Sequence, residues 1–401
     1  MAQTNNDKPV GIPPFLSILT HEYTMAVAGA VCIAIGILAE LPLLVLLPFG
    51  VLAGLMLLGV ELRQLYFLLL FCIPLSTEMS ITGSLSTDFP DEGLMLLLTG
   101  AIIAFACIRR NFLPRELLRS TLLLMVVLQL VWMLVALLYS HNMLLSTKYM
   151  LAKIWYIVPF VLGTAVFLRR KEDYVKASLA LVGAMLIPIV VSLVRHSLSG
   201  FSFESVNYTL HPFFRNHVSY SAVIVCLIPV LMLWLHRASL LQRVVVVWLM
   251  ALFLVALFFA YSRGAWLCLF TGYLTWWAIR KQKLLQLLAI GTAVAVVSIF
   301  WLITDHNYMK FAPDYNKTYF RTDFADHMVA TYQLKDISTM ERFYRWVAGM
   351  RMVAHKPLTG FGPNTFNLYY KGYAVAAFKT WVSANEEKST VHNYFLLLAV
   401  E

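Results

Sequence analysis

The sequence predicts an all-α polytopic membrane protein of about twelve transmembrane helices, the last cut off at Glu401, with one large loop between helices 11 and 12. Three observations carry that expectation. Of 401 residues, 60% are hydrophobic and 13% charged, where a soluble domain carries about 25% charged residues, and the mean hydropathy is +0.74. Apolar runs near or above the ~18–20 residues that cross a bilayer recur along the whole length. The runs are continuous, whereas a β-barrel needs short alternating strands. The expected division is a transmembrane helical domain over 1–303, a loop subdomain over 304–390, and the start of the last transmembrane helix over 391–401.

In chain order, spans are expected at 24–39, 41–60, 62–75, 93–107, 121–138, 151–168, 175–194, 218–235, 244–260, 265–279 and 285–303, with a twelfth opening near Val391. The first 23 residues hold Pro9, Pro13 and Pro14 and lack the basic start and small-residue cleavage site of a signal peptide. The first span is therefore expected to act as an uncleaved anchor, and the chain to be a fragment of a longer protein. Basic residues set the topology. One set of connections holds fifteen: Lys8, Arg63, Arg109, Arg110, Arg115, Arg119, Arg169, Arg170, Lys171, Lys176, Arg237, Arg243, Arg280, Lys281 and Lys283. The alternating set holds five: Lys148, Lys153, Arg195, Arg215 and Arg263. That bias predicts a cytoplasmic N-terminus and puts the long loop on the far side, together with the acidic loop of Glu78, Asp88, Asp91 and Glu92. The net charge of +10 is explained by this topology and by anionic lipid headgroups, so no nucleic-acid partner is expected.

The informative cations are those that violate the bias. Arg215 directly precedes a span, and Arg263 lies in a connection of about four residues, Tyr261-Ser262-Arg263-Gly264. A cation so close to the apolar boundary costs several kcal/mol unless it snorkels or meets an anion. Snorkelling to outer-leaflet phosphates is one reading. The other is a diphosphate clamp, because guanidinium forks and helix N-termini both suit phosphate oxygens. His392-Asn393 opens the twelfth span; His392 is either a plain interfacial residue or a general base, which a neutral imidazole suits. Within the long loop, Phe343, Val347, Met350 and Ala354 recur at helical spacing over 340–354 and predict an amphipathic helix. Arg342 and Arg345 share one of its faces, there to contact glycan or phosphate or simply to be solvated. Gly360-Phe361-Gly362-Pro363-Asn364 is a turn cluster. The aromatics around it, Phe366, Tyr369, Tyr370 and Tyr373, suit sugar stacking or an interfacial belt, and the belt is preferred.

Other chemistry is not signalled. There is no P-loop lysine motif, no strand-linked Gly-x-Gly-x-x-Gly, no His-Glu-x-x-His and no Asp-x-Asp pair. The spans hold almost no acids, which counts against a proton- or sodium-coupled transporter. No carboxylate cluster is set to hold a divalent cation, so neither metal ligands nor any cofactor is expected. Cys32, Cys72, Cys107, Cys226 and Cys268 all fall in apolar runs and read as buried small side chains.

Four patterns in order then resemble the O-antigen ligase and polymerase superfamily of bacterial envelope glycan transferases. They are Phe214-Arg215-Asn216-His217, Tyr261-Ser262-Arg263-Gly264-Ala265, Arg342-x-x-x-Trp346 leading to Pro357-Leu358-x-Gly360-x-Gly362-Pro363-Asn364-x-Phe366, and His392-Asn393. The resemblance runs from about Asn207 to the end of the chain. It implies about twelve helices with a large periplasmic loop in the bacterial inner membrane, and an undecaprenyl-diphosphate-linked glycan donor. It implies that Arg215 and Arg263 hold the diphosphate and that His392 activates the acceptor hydroxyl without a metal. His217, Arg342, Arg345 and Asn393 are the expected substrate-binding residues. The acceptor is lipid A–core for a ligase or a growing glycan for a polymerase, with the ligase narrowly favoured; a protein-glycosylating branch shares the same motifs. A non-catalytic transporter of lipid-linked glycan is the competing class, and the outward arginines disfavour a scaffold or sensor.

Overall fold

The computed structural model describes residues 61–82, 85–109, 111–311, 337–380, 383–384 and 389–401. The first two expected spans, at 24–39 and 41–60, and Cys32 lie outside them. Among the described residues, seven helices are long and apolar enough to cross a membrane: Asp91–Ile108, Thr121–Leu138, Met143–Phe167, Lys171–Leu198, His217–Arg237, Leu240–Phe259 and Leu284–Ile303. We number the described helices that occupy expected span positions α1 (Leu62–Cys72), α2 (Asp91–Ile108), α3 (Thr121–Leu138), α4 (Met143–Phe167), α5 (Lys171–Leu198), α6 (His217–Arg237), α7 (Leu240–Phe259), α8 (Arg263–Arg280) and α9 (Leu284–Ile303). Helices α10 (Ile337–His355) and α11 (Tyr394–Val400) follow. A helix stands at each expected position from the third to the twelfth, but α1, α8 and α11 are not among those long and apolar enough to cross a membrane.

Three details differ from expectation. Helix α8, expected as a span at 265–279, is not among the seven; arginines at both ends and three tryptophans make it less apolar. Helix α4 starts at Met143, so Lys148 and Lys153 stand inside its first turns instead of in a connection. The acidic loop contains an antiparallel hairpin, Thr77–Thr82 (β1) with Leu85–Phe89 (β2), in which Glu78 pairs with Asp88 and the register slips between Ser80 and Thr82.

The helix starts are legible in the caps. Ser120, Asn142, Asn216 and Asn393 each accept from a backbone N–H three residues on, filling one of the orphan donors of a first turn. Gln242 returns the same service to Ser239 N–H ahead of α7. In α4 the backbone passes through one π segment, Val158–Gly163, which contains Pro159, a residue with no N–H to give.

The chain forms two compact units. The first takes the described residues up to Pro114 together with Trp155–Ile187. Its core is Leu65, Tyr66, Leu69, Leu94, Met95, Leu98 and Ile102. Gly163 lets α4 approach α1 and α2, for a Cβ there would stand 3.3 Å from Tyr66 and Ile102. Asp173 accepts from the backbone N–H of Arg169 and Arg170 and from the Arg63 guanidinium, and Arg169 donates to the Phe112 carbonyl. Connections assigned to one side of the membrane therefore touch each other.

The second unit takes Arg115–Ile154 and Pro188–Glu401. The same parity holds: the turn at Ser140–Asn142 meets the loop turn at Phe361–Pro363, and the 199–202 connection meets Tyr261. The long loop builds its own core from Tyr344, Ala348, Met352, Phe361, Phe366, Tyr370 and Phe378, closed by Val391 and Val400. Phe366 and Tyr370 stack at 4.9 Å inside it, so neither is a belt residue or a sugar platform. Helix α9 buries none of its residues, as suits an apolar helix facing lipid. Cys107, Cys226 and Cys268 are exposed on helix surfaces instead of buried as expected; Cys72 is half-buried.

Candidate active site

The turn that carries Arg263 is held by the connection after α5. His196 is buried, and its Nε2 lies 2.9 Å from the Ser202 carbonyl. A carbonyl only accepts, so Nε2 carries the proton. The His196 ring meets Phe201, Phe259 and Tyr261 edge-on, and Phe201 stacks on Phe259 at 4.0 Å. The Tyr261 hydroxyl donates to the Phe201 carbonyl. Both Tyr261 and Phe201 adopt left-handed backbone, φ 51° and 53°, a strained state for such residues that surrounding packing must impose. That clasp fixes the turn from which Arg263 emerges as the first residue of α8.

Asn207 fixes the second element. Its Oδ1 accepts from the His217 backbone N–H at 2.9 Å and lies 2.9 Å from His217 Nδ1. An oxygen already accepting a backbone proton meets a donor at Nδ1, so the neutral ring presents Nε2 as an acceptor. The Arg263 charge acts on this ring. Arg215 is exposed immediately before the cap residue Asn216 of α6, and Arg263 is half-buried at the start of α8. Two guanidinium groups therefore stand at two helix N-termini, where backbone N–H groups and the dipole favour anions.

The second cluster surrounds His392. Residue 392 has φ 53°, between buried Val391 and the cap residue Asn393. Its side chain is exposed. Partial desolvation by the nearby protein lowers the imidazole from the ordinary histidine range; the Arg345 and Arg342 charges push the same way and Glu341 opposes them. The Arg263 charge thus acts on His217, and the Arg345, Arg342 and Glu341 charges act on His392.

Helix α10 supplies the second group in a phase the apolar spacing did not give. The expected inward set was Phe343, Val347, Met350 and Ala354. The buried face instead carries Met340, Tyr344, Val347, Ala348 and Met352, while Met350 is 42% exposed. The reason is a polar pair turned inward. Glu341 and Arg345, four residues apart, are 6% and 5% exposed and meet at 3.4 Å. Glu341 also accepts from the Thr380 and Ser383 hydroxyls, and Arg345 donates to the Thr390 carbonyl. Arg342 is exposed. The two arginines thus do not share a face, and Arg345 reaches backbone two residues before His392. Asn393 spends its amide oxygen on the Leu396 N–H.

The turn cluster links these parts. Gly360 and Gly362 have φ 61° and 106°; a Cβ would stand 2.5 Å from the Val400 carbonyl oxygen and 2.1 Å from Ser140 Oγ respectively, positions only glycine fills without strain. Phe361 N–H donates to the Val400 carbonyl, Ser146 Oγ to the Pro363 carbonyl, and Phe366 N–H to the Glu401 carboxylate. Among the described residues, no group of three or more His, Cys, Asp or Glu is placed to hold a metal ion.

Residues 245–401 match the family model for O-antigen ligase. This match supports an O-antigen ligase superfamily assignment. The matched segment begins within α7 and includes Arg263, Arg342, Arg345 and the His392-Asn393 pair; Arg215, Asn207 and His217 precede it. No curated protein matches the chain, and no solved structure does. The charge bias pointed to Arg263, whereas His392 stood open between interfacial residue and base until the resemblance gave it a role. Asn207, His196, Glu341 and Thr380 carried no sequence signal, and Tyr261 stood out only as part of the pattern around Arg263, because their roles arise from partners elsewhere in the chain.

Proposed function

We propose that this chain is a membrane glycosyltransferase that moves a glycan from undecaprenyl diphosphate to an acceptor hydroxyl at the outer face of the bacterial inner membrane, with O-antigen ligation to lipid A–core narrowly favoured. The observation that carries the reading is the O-antigen ligase match over 245–401, which contains both Arg263 and His392. Its chemistry is coherent with the two clusters. Arg263 and Arg215 offset the diphosphate charge at two helix starts. The acceptor oxygen attacks the anomeric carbon as the carbon–oxygen bond to the diphosphate breaks; the leaving lipid diphosphate keeps the electron pair, and His392 takes the acceptor proton. An imidazole held below the ordinary histidine range is mostly neutral near pH 7 and so competent as the base. In this reading Arg342 reaches the glycan, His217 contributes an acceptor nitrogen near the donor, and Arg345 and Asn393 position His392 rather than touch substrate. No metal takes part; EDTA leaves turnover intact, and inhibition reversed by magnesium would overturn that point. The N-terminus is cytoplasmic and the active site faces the periplasm.

The test uses full-length protein with undecaprenyl-diphosphate-linked glycan, with and without lipid A–core, products followed on a gel. One glycan step that requires lipid A–core identifies a ligase. A ladder formed without it identifies a polymerase. Donor binding with no product under either condition favours the transporter class.

A further inference from the structure

Helix α10 ends beside the turn at Ser140–Asn142, and one ring lies between them. Phe361 is 3% exposed. Around it stand His141 at 6.0 Å, His355 at 6.2 Å, Tyr369 at 5.8 Å and Tyr373 at 5.5 Å between ring centres, with the Lys356 ammonium 5.1 Å from its centroid. Lys356 Nζ lies 2.9 Å from His141 Nε2. An ammonium has only protons to give, so Nε2 accepts. Arg351 donates to the Tyr373 carbonyl, and His355 Nδ1 lies 2.7 Å from the Tyr373 hydroxyl. His141, His355 and Arg351 are exposed, while Lys356, Tyr369 and Tyr373 are half-exposed.

Among the described residues, no carboxylate contacts Lys356, His141 or His355. An ammonium served only by an imidazole and a ring face retains most of its capacity for an anion. Tyrosine faces beside cations suit a sugar ring bearing a phosphate or carboxylate. The cluster's place narrows the ligand further. Phe361 is bonded to Val400, eight residues along the last helix from His392, about 12 Å at the helical rise. On the expectation that this helix opens the twelfth span, the cluster lies on the membrane side of His392. A lipid-anchored acceptor reaching up to His392 passes its anchor-proximal sugars by this point.

We propose that His141, Lys356, His355, Tyr369 and Tyr373 form a subsite for an anionic, phosphate- or carboxylate-bearing sugar in the anchor-proximal part of a lipid-linked acceptor. The word acceptor rests on the transferase reading; binding of the anionic sugar does not. Full-length protein in nanodiscs of phosphatidylcholine is titrated with lipid A–core, untreated and after phosphatase. The wild type binds the phosphorylated form about tenfold more tightly, as one lost charged contact implies. Lys356→Gln and His355→Gln each reduce that preference, Lys356→Arg restores it, and donor binding is unchanged in all three. A wild type that does not discriminate, or a Lys356→Gln variant that discriminates fully, overturns the proposal. Loss of discrimination when phosphatidylglycerol is added to the nanodisc assigns the cluster to lipid headgroups and also overturns it. Discrimination without transfer to any acceptor retains the subsite and rejects the transferase reading; transfer without discrimination does the reverse.

Discussion

Replacing Arg345 by methionine isolates the pair that sets α10 against the His392 segment. Methionine keeps much of the length and packing, so the loss is electrostatic. The change removes the 3.4 Å partner of a carboxylate that is 6% exposed. Breaking a buried pair from one side typically costs about 3–5 kcal/mol. Glu341 retains the Thr380 and Ser383 hydroxyls, which places the cost near the lower end, about 3 kcal/mol. The Thr390 carbonyl also loses a charged donor, adding about 1 kcal/mol. Glu341→Gln with Arg345→Met removes both charges and recovers about 2 kcal/mol of that loss. The assay is hydrogen exchange over 340–355 in the purified protein, run as a double-mutant cycle. A single variant within about 0.5 kcal/mol of wild type, or a double variant equal to the sum of the singles, refutes the account of α10.

Other consequences are as direct. His392→Gly relieves a left-handed residue that costs roughly 1 kcal/mol, so thermal stability holds or rises while transfer is lost; a melting point well below that of His392→Ala contradicts it. Gly362→Ala adds backbone strain and a Cβ 2.1 Å from Ser140 Oγ, together about 4 kcal/mol, and a thermal-stability loss under 1 kcal/mol shows the turn is not wedged there. Transfer rises with pH as His392 deprotonates, with its acid limb below the ordinary histidine range. Arg342→Gln removes a charge that lowers that value, so the limb moves to higher pH; a limb that stays put or moves down separates His392 from the profile.

Membrane helices were legible because bilayer thickness imposes a long apolar run that needs no partner to recognise. Arg215 and Arg263 were legible for the same reason, since a cation beside such a run stands out. What was not legible depended on pairing. Apolar spacing assigns α10 a face through Met350, but Glu341 and Arg345 turn inward because Thr380, Ser383 and Thr390, as much as 45 positions on, satisfy them. Phe366 and Tyr370 looked like surface aromatics because the core they stack in is assembled from both ends of the loop and the last helix. The tautomer of His217 rests on Asn207, ten residues earlier and in no motif. Composition placed the spans; only tertiary contacts placed the polar network that holds His392.

Donor binding and glycan transfer, measured separately on wild type, Arg263→Ala and His392→Ala full-length protein, test the central claim most directly. The account predicts that Arg263→Ala loses donor binding and transfer together, whereas His392→Ala binds the undecaprenyl-diphosphate-linked donor normally and forms no product. Transfer by His392→Ala at a rate near wild type would contradict it.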